Sequence, residues 1–336
     1  MTPLIFSFDM PNDDTSVNAN ITTERAPESS TDSSNVITAL ENNDDGKVVQ
    51  PNVNVPSSGV VDAESHRIKR EQTENQLNAI NEEIRQNNAL TSEFLPLTHL
   101  IQSYAESSES FLKGAEYLSL KYRWYRRVRG DGNCYYRAFL YGLCEVLLSR
   151  RLEAATNGEE ALQKSRKDID RVHLVAKTSL EKCTQQGYSK FTLEMFYDEF
   201  VGILSSLLKD TTTPASLHSI LNHENGVSDY CCWYLRVLTA TQLKIDRERF
   251  SAFLEYGDVD TFCSEEVEPM HKDVGMVQAI ALAEFMGVKV DVEYLDGRNP
   301  DGKLVVHHFG PQDQNESNGC GVTLLYRPGH YDILYR

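Results

Sequence analysis

Nothing in this 336-residue chain constrains its fold more than the nine residues Arg129-Gly130-Asp131-Gly132-Asn133-Cys134-Tyr135-Tyr136-Arg137. Two glycines and an Asx pair within four positions make a turn that admits backbone angles closed to most side chains. Phe139, Leu140, Leu143, Val146 and Leu147 then recur at helical spacing, so a helix begins at or beside Cys134. A thiol at a helix N-terminus meets unpaired backbone N–H groups and the positive end of the macrodipole, and both favour thiolate. The same N–H groups can receive the oxyanion formed when a thiolate attacks a carbonyl. A single cysteine in a first helical turn is more often a small buried hydrophobe, so a catalytic reading requires a base elsewhere in the chain.

His330 is the best placed of the nine histidines. It follows Pro328-Gly329 at the mouth of a strand, a rigid position from which a ring can be aimed at a helix terminus. Asp332 lies two residues on, so strand alternation puts both side chains on one face. Its carboxylate can accept a hydrogen bond from the ring nitrogen turned away from the sulfur. His173 and His218 fall in helices without a matching carboxylate, His271 lies in the loop Glu268-Pro269-Met270-His271, and His307-His308 sits in a strand-like run suited to solvent-facing or structural roles.

Residues 1–65 are rich in Ser, Thr, Asn and Asp and hold 11 acidic against 2 basic side chains, about half of the net charge of −17. They bury too little apolar surface to offset ordering entropy and are expected to be a disordered acidic tail. Residues 66–336 form the second expected unit, beginning with an amphipathic helical arm at about 67–88 whose thin apolar stripe is Leu77, Ile80 and Ile84. Short helices are expected after Pro96 and over Phe111–Leu120, an extended lead-in with surface arginines over Tyr122–Val128, and helices over Cys134 to about Arg150, 160–182 and Phe191–Leu208. Pro214 opens another, Ser228-Asp229 is the expected N-cap of Tyr230–Leu243, and shorter helices cover 247–254, 259–267 and Val277–Met286. Strands come last, at Val288–Tyr294, Leu304–Phe309, Val322–Tyr326 and Tyr331–Tyr335. The expected class is α+β, a helical N-terminal part packed on a C-terminal, mainly antiparallel sheet, with the Cys early on a helix and the His and Asp late on the sheet as in papain-like enzymes.

The seven cysteines form an odd set with no C-x-x-C pair, so no disulfide framework and no metal site are expected, and no cofactor motif occurs. No apolar run approaches 18 residues and no basic residue precedes the short apolar N-terminus, so the expectation is a cytoplasmic protein, with the nucleus as a second compartment, and no membrane partner. The net charge of −17 argues against nucleic acid and suits a basic protein partner.

At these residues a resemblance emerges. Asp131-Gly132-Asn133-Cys134-Tyr135-Tyr136-Arg137-Ala138-Phe139 is similar to the nucleophile motif of the otubains, ovarian-tumour-type deubiquitinating cysteine proteases. Leu325-Tyr326-Arg327-Pro328-Gly329-His330-Tyr331-Asp332-Ile333-Leu334-Tyr335 is similar to their histidine motif. Tyr234-Leu235-Arg236, Glu266-Val267-Glu268-Pro269-Met270 and Val292-Glu293-Tyr294 match the pattern between them, and the resemblance covers roughly residues 70–336. It implies an otubain fold and a thiol-dependent isopeptidase that cuts between the ubiquitin C-terminus and a lysine, in polyubiquitin chains, often of the lysine-forty-eight linkage. It further implies Cys134 as nucleophile, His330 as general base, Asp332 as its orienting group, and Asp131 as shaper of the oxyanion loop, with the backbone of Asp131, Asn133 and Cys134 as oxyanion donors. The implied partners are ubiquitin and polyubiquitin, with a monomeric enzyme; some otubains also bind ubiquitin-conjugating enzymes and suppress transfer without using the cysteine, an alternative role for the arm.

The chain departs from the pattern at Gly130, where the family commonly has proline, so the loop before Asp131 is expected to switch more easily between open and closed oxyanion geometries. The segment after Arg150 is expected to be longer than in the family, and residues 1–65 have no counterpart.

Overall fold

Twelve consecutive residues of one helix, Cys134 to Glu145, are buried, and a helix apolar on every side belongs in the interior. This computed structural model describes residues 71–72, 75–76, 79, 82–106, 108–254, 258–298, 300–311 and 321–336. The expected tail at 1–65, and Leu77 and Ile80 of the expected arm, lie outside the described residues; 82–87 are helical and Ile84 is half-buried.

In chain order the elements are β1 (Leu95–Pro96), α1 (Leu97–Tyr104), α2 (Glu109–Ser119), β2 (Trp124–Arg126), α3 (Cys134–Thr156), α4 (Glu159–Gln185), α5 (Lys190–Ser206), α6 (Pro214–Leu221), α7 (Val227–Ile245), α8 (Arg247–Ser251), α9 (Val259–Phe262), a π-helical turn Cys263–Val267, α10 (Met276–Met286), β3 (Lys289–Tyr294), β4 (Val305–Phe309), β5 (Gly321–Arg327) and β6 (His330–Tyr335). The strands form one sheet in the order β1-β2-β6-β5-β3-β4. It is mainly antiparallel, as expected, but β3 and β5 pair in parallel, Val290 beside Val322 and Val292 beside Leu324. Residue alternation is the same beside a parallel or an antiparallel neighbour, so that pair is invisible in the sequence.

α3 lies between the sheet and the other helices, touching β5 and β6 on one side and α4 and α7 on the other. Its approach to the sheet depends on Gly142, where a Cβ would stand 2.7 Å from Val322 Cγ1 and 3.4 Å from Ile333 Cγ2. Gly142→Ala is therefore expected to destabilise the fold by about 1–3 kcal/mol through overpacking. The readout is a lowered urea midpoint with unchanged slope; an unchanged midpoint would mean that the sheet retreats at no cost.

Three local expectations are overturned. The arginines of the lead-in are not all at the surface: Arg126 is 4% exposed, its Nη2 donating to Glu145 Oε1 at 2.9 Å and its Nε to Oε2 at 3.3 Å. β2 sits inside the sheet between β1 and β6, so one of its faces points inward, and the buried guanidinium survives because a carboxylate from α3 meets it. Ser228 and Asp229 do not cap α7, which begins after Gly226; their oxygens accept from Arg137 Nη1 at 2.8 and 3.0 Å instead. α3 also runs six residues past Arg150, and only Asn157 and Gly158 separate it from α4, so the expected long linker is mostly helix.

Candidate active site

Cys134 is the first residue of α3, and the loop before it is fastened at every residue from Asp131 to Asn133. Asp131 Oδ1 accepts from Asn133 N–H at 2.9 Å and Oδ2 from Arg137 Nη2 at 2.6 Å, so the carboxylate bridges the loop to the first helical turn. Gly132 takes φ 73°, and a Cβ there would lie 2.4 Å from the His271 backbone, so both the angle and the space demand glycine. The Gly132 carbonyl accepts from Arg236 Nη2 at 2.7 Å. Asn133 Oδ1 accepts from the same guanidinium at 2.9 and 3.2 Å and from His271 N–H at 3.1 Å. Asn133 N–H is thus already engaged by Asp131, which removes it from the expected oxyanion donors in this loop conformation; the α3 terminus at Cys134 keeps that role open to the Cys134 amide.

His330 begins β6, opposite Arg327 across a two-residue turn in which Pro328 precedes Gly329 at φ 72°. The hairpin carries the ring to Asp332, whose Oδ1 is 2.9 Å from His330 Nε2. A carboxylate oxygen accepts, so Nε2 carries the proton. The Cys134 side chain hydrogen-bonds the same imidazole, and with Nε2 occupied that bond falls on Nδ1. Cys134, His330 and Asp332, which stand nearly 200 residues apart in sequence, are therefore brought into one hydrogen-bonded series, and Asp131 holds the loop beside it.

Burial by itself would depress the His330 imidazole, but the hydrogen bonds to Asp332 and Cys134 and the Asp332 charge outweigh it and raise it to about 9. Burial pushes the Asp332 carboxyl up, yet His330, the Arg327 charge and the Val128 N–H together hold it below the usual carboxylate value. Asp332 is 0% exposed, and it accepts from Val128 N–H at 3.0 Å and from Arg327 Nη2 besides His330. It thereby ties the lead-in, the hairpin and the imidazole together.

Gly130 adjoins the ring: a Cβ there would stand 3.5 Å from His330 Nδ1. On this side lies a cavity of about 550 Å³, bounded by Gly130, Arg327 and His330 and by Ile84 and Asn87 of the 82–87 helix. The end of that helix is pinned by Arg129, the residue before Gly130, through the carbonyls of Arg85 and Asn88 and a pair with Glu224. Among the described residues no metal-binding group of His, Cys, Asp and Glu occurs.

Sequence reading missed Arg236, His271, Arg129 and Arg327 as parts of the site. Arg129 and Arg327 stood inside the two motifs without an assigned role, and Arg236 carried a physical signal, since an arginine within an otherwise apolar helix must find acceptors when it is buried, and it is 0% exposed. His271 was set aside as a base, and its bonds to the loop cross 138 positions and more and have no local signature.

A thiol on a helix that is in contact with an imidazole and carboxylate on a sheet is the construction of papain-like cysteine peptidases. Residues 82–336 match the family pattern of Peptidase C65 Otubain, and the chain belongs to the otubain family. It is 36% identical to the ubiquitin thioesterase OTUB1 of Homo sapiens over 262 residues, 78% of this chain and 88% of that protein. With the ovarian tumor domain-containing deubiquitinating enzyme 1 of Arabidopsis thaliana it shares 34% identity over 257 residues, 71% of this chain and 78% of that protein. The solved structure of h/ceOTUB1 with ubiquitin aldehyde and UBC13~Ub aligns at a TM-score of 0.68 and 30% identity, covering 79% of this chain and 98% of that one.

Proposed function

We propose that this chain is a thiol-dependent ubiquitin isopeptidase that hydrolyses the bond between the ubiquitin C-terminus and a lysine in polyubiquitin. The observation that carries this reading is the Cys134–His330–Asp332 series within an otubain fold. Cys134 attacks the terminal carbonyl of ubiquitin, and the Cys134 amide at the α3 terminus supports the oxyanion. His330, held as an imidazolium by Asp332, gives its proton to the departing lysine amine; it then takes a proton from the water that releases ubiquitin from the sulfur. The cavity beside His330 lies where the amine side of the substrate must leave, because the proton donor borders it. A cytoplasmic location, with the nucleus second, belongs to the same proposal; the six buried free thiols of the described residues accord with a reducing compartment.

Side-by-side labelling with electrophilic ubiquitin and ubiquitin-like probes tests the substrate. Ubiquitin is expected to label Cys134 fastest, and preference for another modifier would sink the assignment.

A second activity, docking to ubiquitin-conjugating enzymes, is supported by the solved neighbours in which OTUB1 chains are combined with UBC13~Ub and UBCH5B~Ub. Truncation separates the two activities, but Leu90 is 1% exposed and its carbonyl accepts from Arg129 N–H, so the cut belongs before residue 82 rather than at 90. Such a truncated enzyme is expected to keep its rate on a minimal ubiquitin substrate and to lose its hold on charged conjugating enzymes, measured by pull-down. Equal loss of both would merge the two roles.

A further inference from the structure

His271 stands on the loop after the π-helical turn with φ 65°, a left-handed angle that few non-glycine residues hold. What keeps it there is the loop ahead of Cys134. Its N–H donates to Asn133 Oδ1 at 3.1 Å, its ring Nδ1 lies 2.7 Å from the Asp131 carbonyl oxygen, and Gly132 presses against its backbone. The Asp131 oxygen only accepts, so Nδ1 carries a proton, and the neutral Nδ1–H tautomer and the imidazolium serve alike. Asn133 Nδ2, 3.3 Å from the same Nδ1, is then a donor facing a donor and adds no bond.

The consequence lies in the peptide plane between Asp131 and Gly132. No described peptide is cis, and in a trans peptide the C=O and N–H point in opposite directions. Holding the Asp131 carbonyl on His271 therefore fixes the Gly132 N–H on the opposite side, two residues before the thiol. Turning this plane over requires breaking the 2.7 Å bond. Arg236 holds the next carbonyl, that of Gly132, so the two successive peptides of the loop are set by different side chains.

We propose that His271 is a positioning residue for the isopeptidase reaction, its Nδ1–H holding the Asp131–Gly132 peptide in the orientation that supports the oxyanion formed at Cys134. The inference rests on the isopeptidase reading above. The contacts described for the ring are with the loop, so the role assigned to His271 is exerted through the loop.

The test uses the full-length chain and four proteins: wild type, Cys134→Ser, His271→Gly and His271→Asn. Glycine takes φ 65° without strain, so His271→Gly removes the ring while sparing the backbone. Asparagine also tolerates the left-handed region, and its amide N–H₂ can take over the donation to Asp131. Di-ubiquitin cleavage gives kcat and KM; two further readouts are the rate at which a small haloacetamide alkylates Cys134, followed at that site by mass spectrometry, and the thermal midpoint. Losing a whole oxyanion donor costs about 10²–10³-fold, and a loosened one less, so His271→Gly is expected to lower kcat roughly tenfold with KM within about twofold. Its alkylation rate and midpoint should match the wild type, because attack on a haloacetamide develops no oxyanion, and His271→Asn should recover most of the turnover. The inference is overturned if His271→Gly turns over like the wild type, if its alkylation falls in step with kcat, or if asparagine does no better than glycine. A wild type without cleavage, or a Cys134→Ser enzyme that cleaves equally, sinks the isopeptidase reading together with it; cleavage lost in Cys134→Ser but untouched in His271→Gly sinks this inference alone.

Discussion

Cys134→Ser is expected to abolish di-ubiquitin cleavage across all linkages, a loss on the order of 10⁴-fold or more, while leaving the fold and ubiquitin binding intact. Serine differs from cysteine by one atom, and the position is 4% exposed at the start of α3, so no cavity or unpaired charge arises. What is lost is the sulfur nucleophile, because an alcohol attacks a carbonyl far more weakly than sulfur does. The built-in control is affinity: the variant should bind di-ubiquitin as tightly as the wild type in a titration. Retained cleavage would remove Cys134 as nucleophile. Lost cleavage accompanied by lost binding and a lowered thermal midpoint would mean that the substitution had damaged the fold instead.

How much of this site the sequence disclosed follows from how local its causes are. The turn Gly130 to Asn133, the helix it starts and the Pro328-Gly329 corner before His330 are set by residues within a few positions of one another, so they could be read in advance. The pairing of Cys134 with His330 was legible because each motif carried its own geometry, and the resemblance to otubains joined them. The fastening of the loop was not legible. Asp131 reaches Arg137 across six positions, but Arg236 meets Gly132 and Asn133 across more than 100, and His271 meets Asn133 across 138. Such bonds exist only once α7 and the segment after the π-helical turn are packed against α3.

Gly130 illustrates the same limit. Sequence comparison located the loop's freedom there, yet Asp131, Gly132 and Asn133 immediately after it are each held by side chains from elsewhere, and the neighbour Gly130 faces is the His330 ring. A side chain at 130 would therefore touch the base before it stiffened the loop. The absence of a side chain at 130 leaves room beside the imidazole, on the wall of the cavity shared with the helix at 82–87.

Asp332→Asn is expected to lower turnover by about 10²–10⁴-fold, less than Cys134→Ser, and to move the alkaline limb of the rate toward acid. The wild-type imidazole is raised to about 9, so the imidazolium that protonates the leaving amine persists through neutral pH and is lost only as pH rises through that value. Replacing the carboxylate weakens the largest of the causes that raise it, the hydrogen bond to Asp332, and removes the Asp332 charge as well, while burial still depresses it, so the limb should fall toward the ordinary histidine value of about 6.5. The sign for stability runs the same way. A histidine raised in the fold contributes stability that is fully present below about pH 6.5 and is lost as pH rises through its folded value, so the variant should lose stability most at acid and neutral pH. Geometry forbids a silent exchange. With the amide oxygen toward His330 and Val128, its N–H₂ faces Arg327, donor to donor; flipped, it faces the Val128 N–H and forces the imidazole into the wrong tautomer. A kcat/KM profile between pH 5 and 10, with denaturant unfolding at each end, separates the effects. An alkaline limb that stays near 9 in the variant would show that Cys134 alone holds the proton on His330; a loss equal to that of Cys134→Ser, with a collapsed unfolding midpoint, would make Asp332 chiefly the tie between the lead-in and the hairpin.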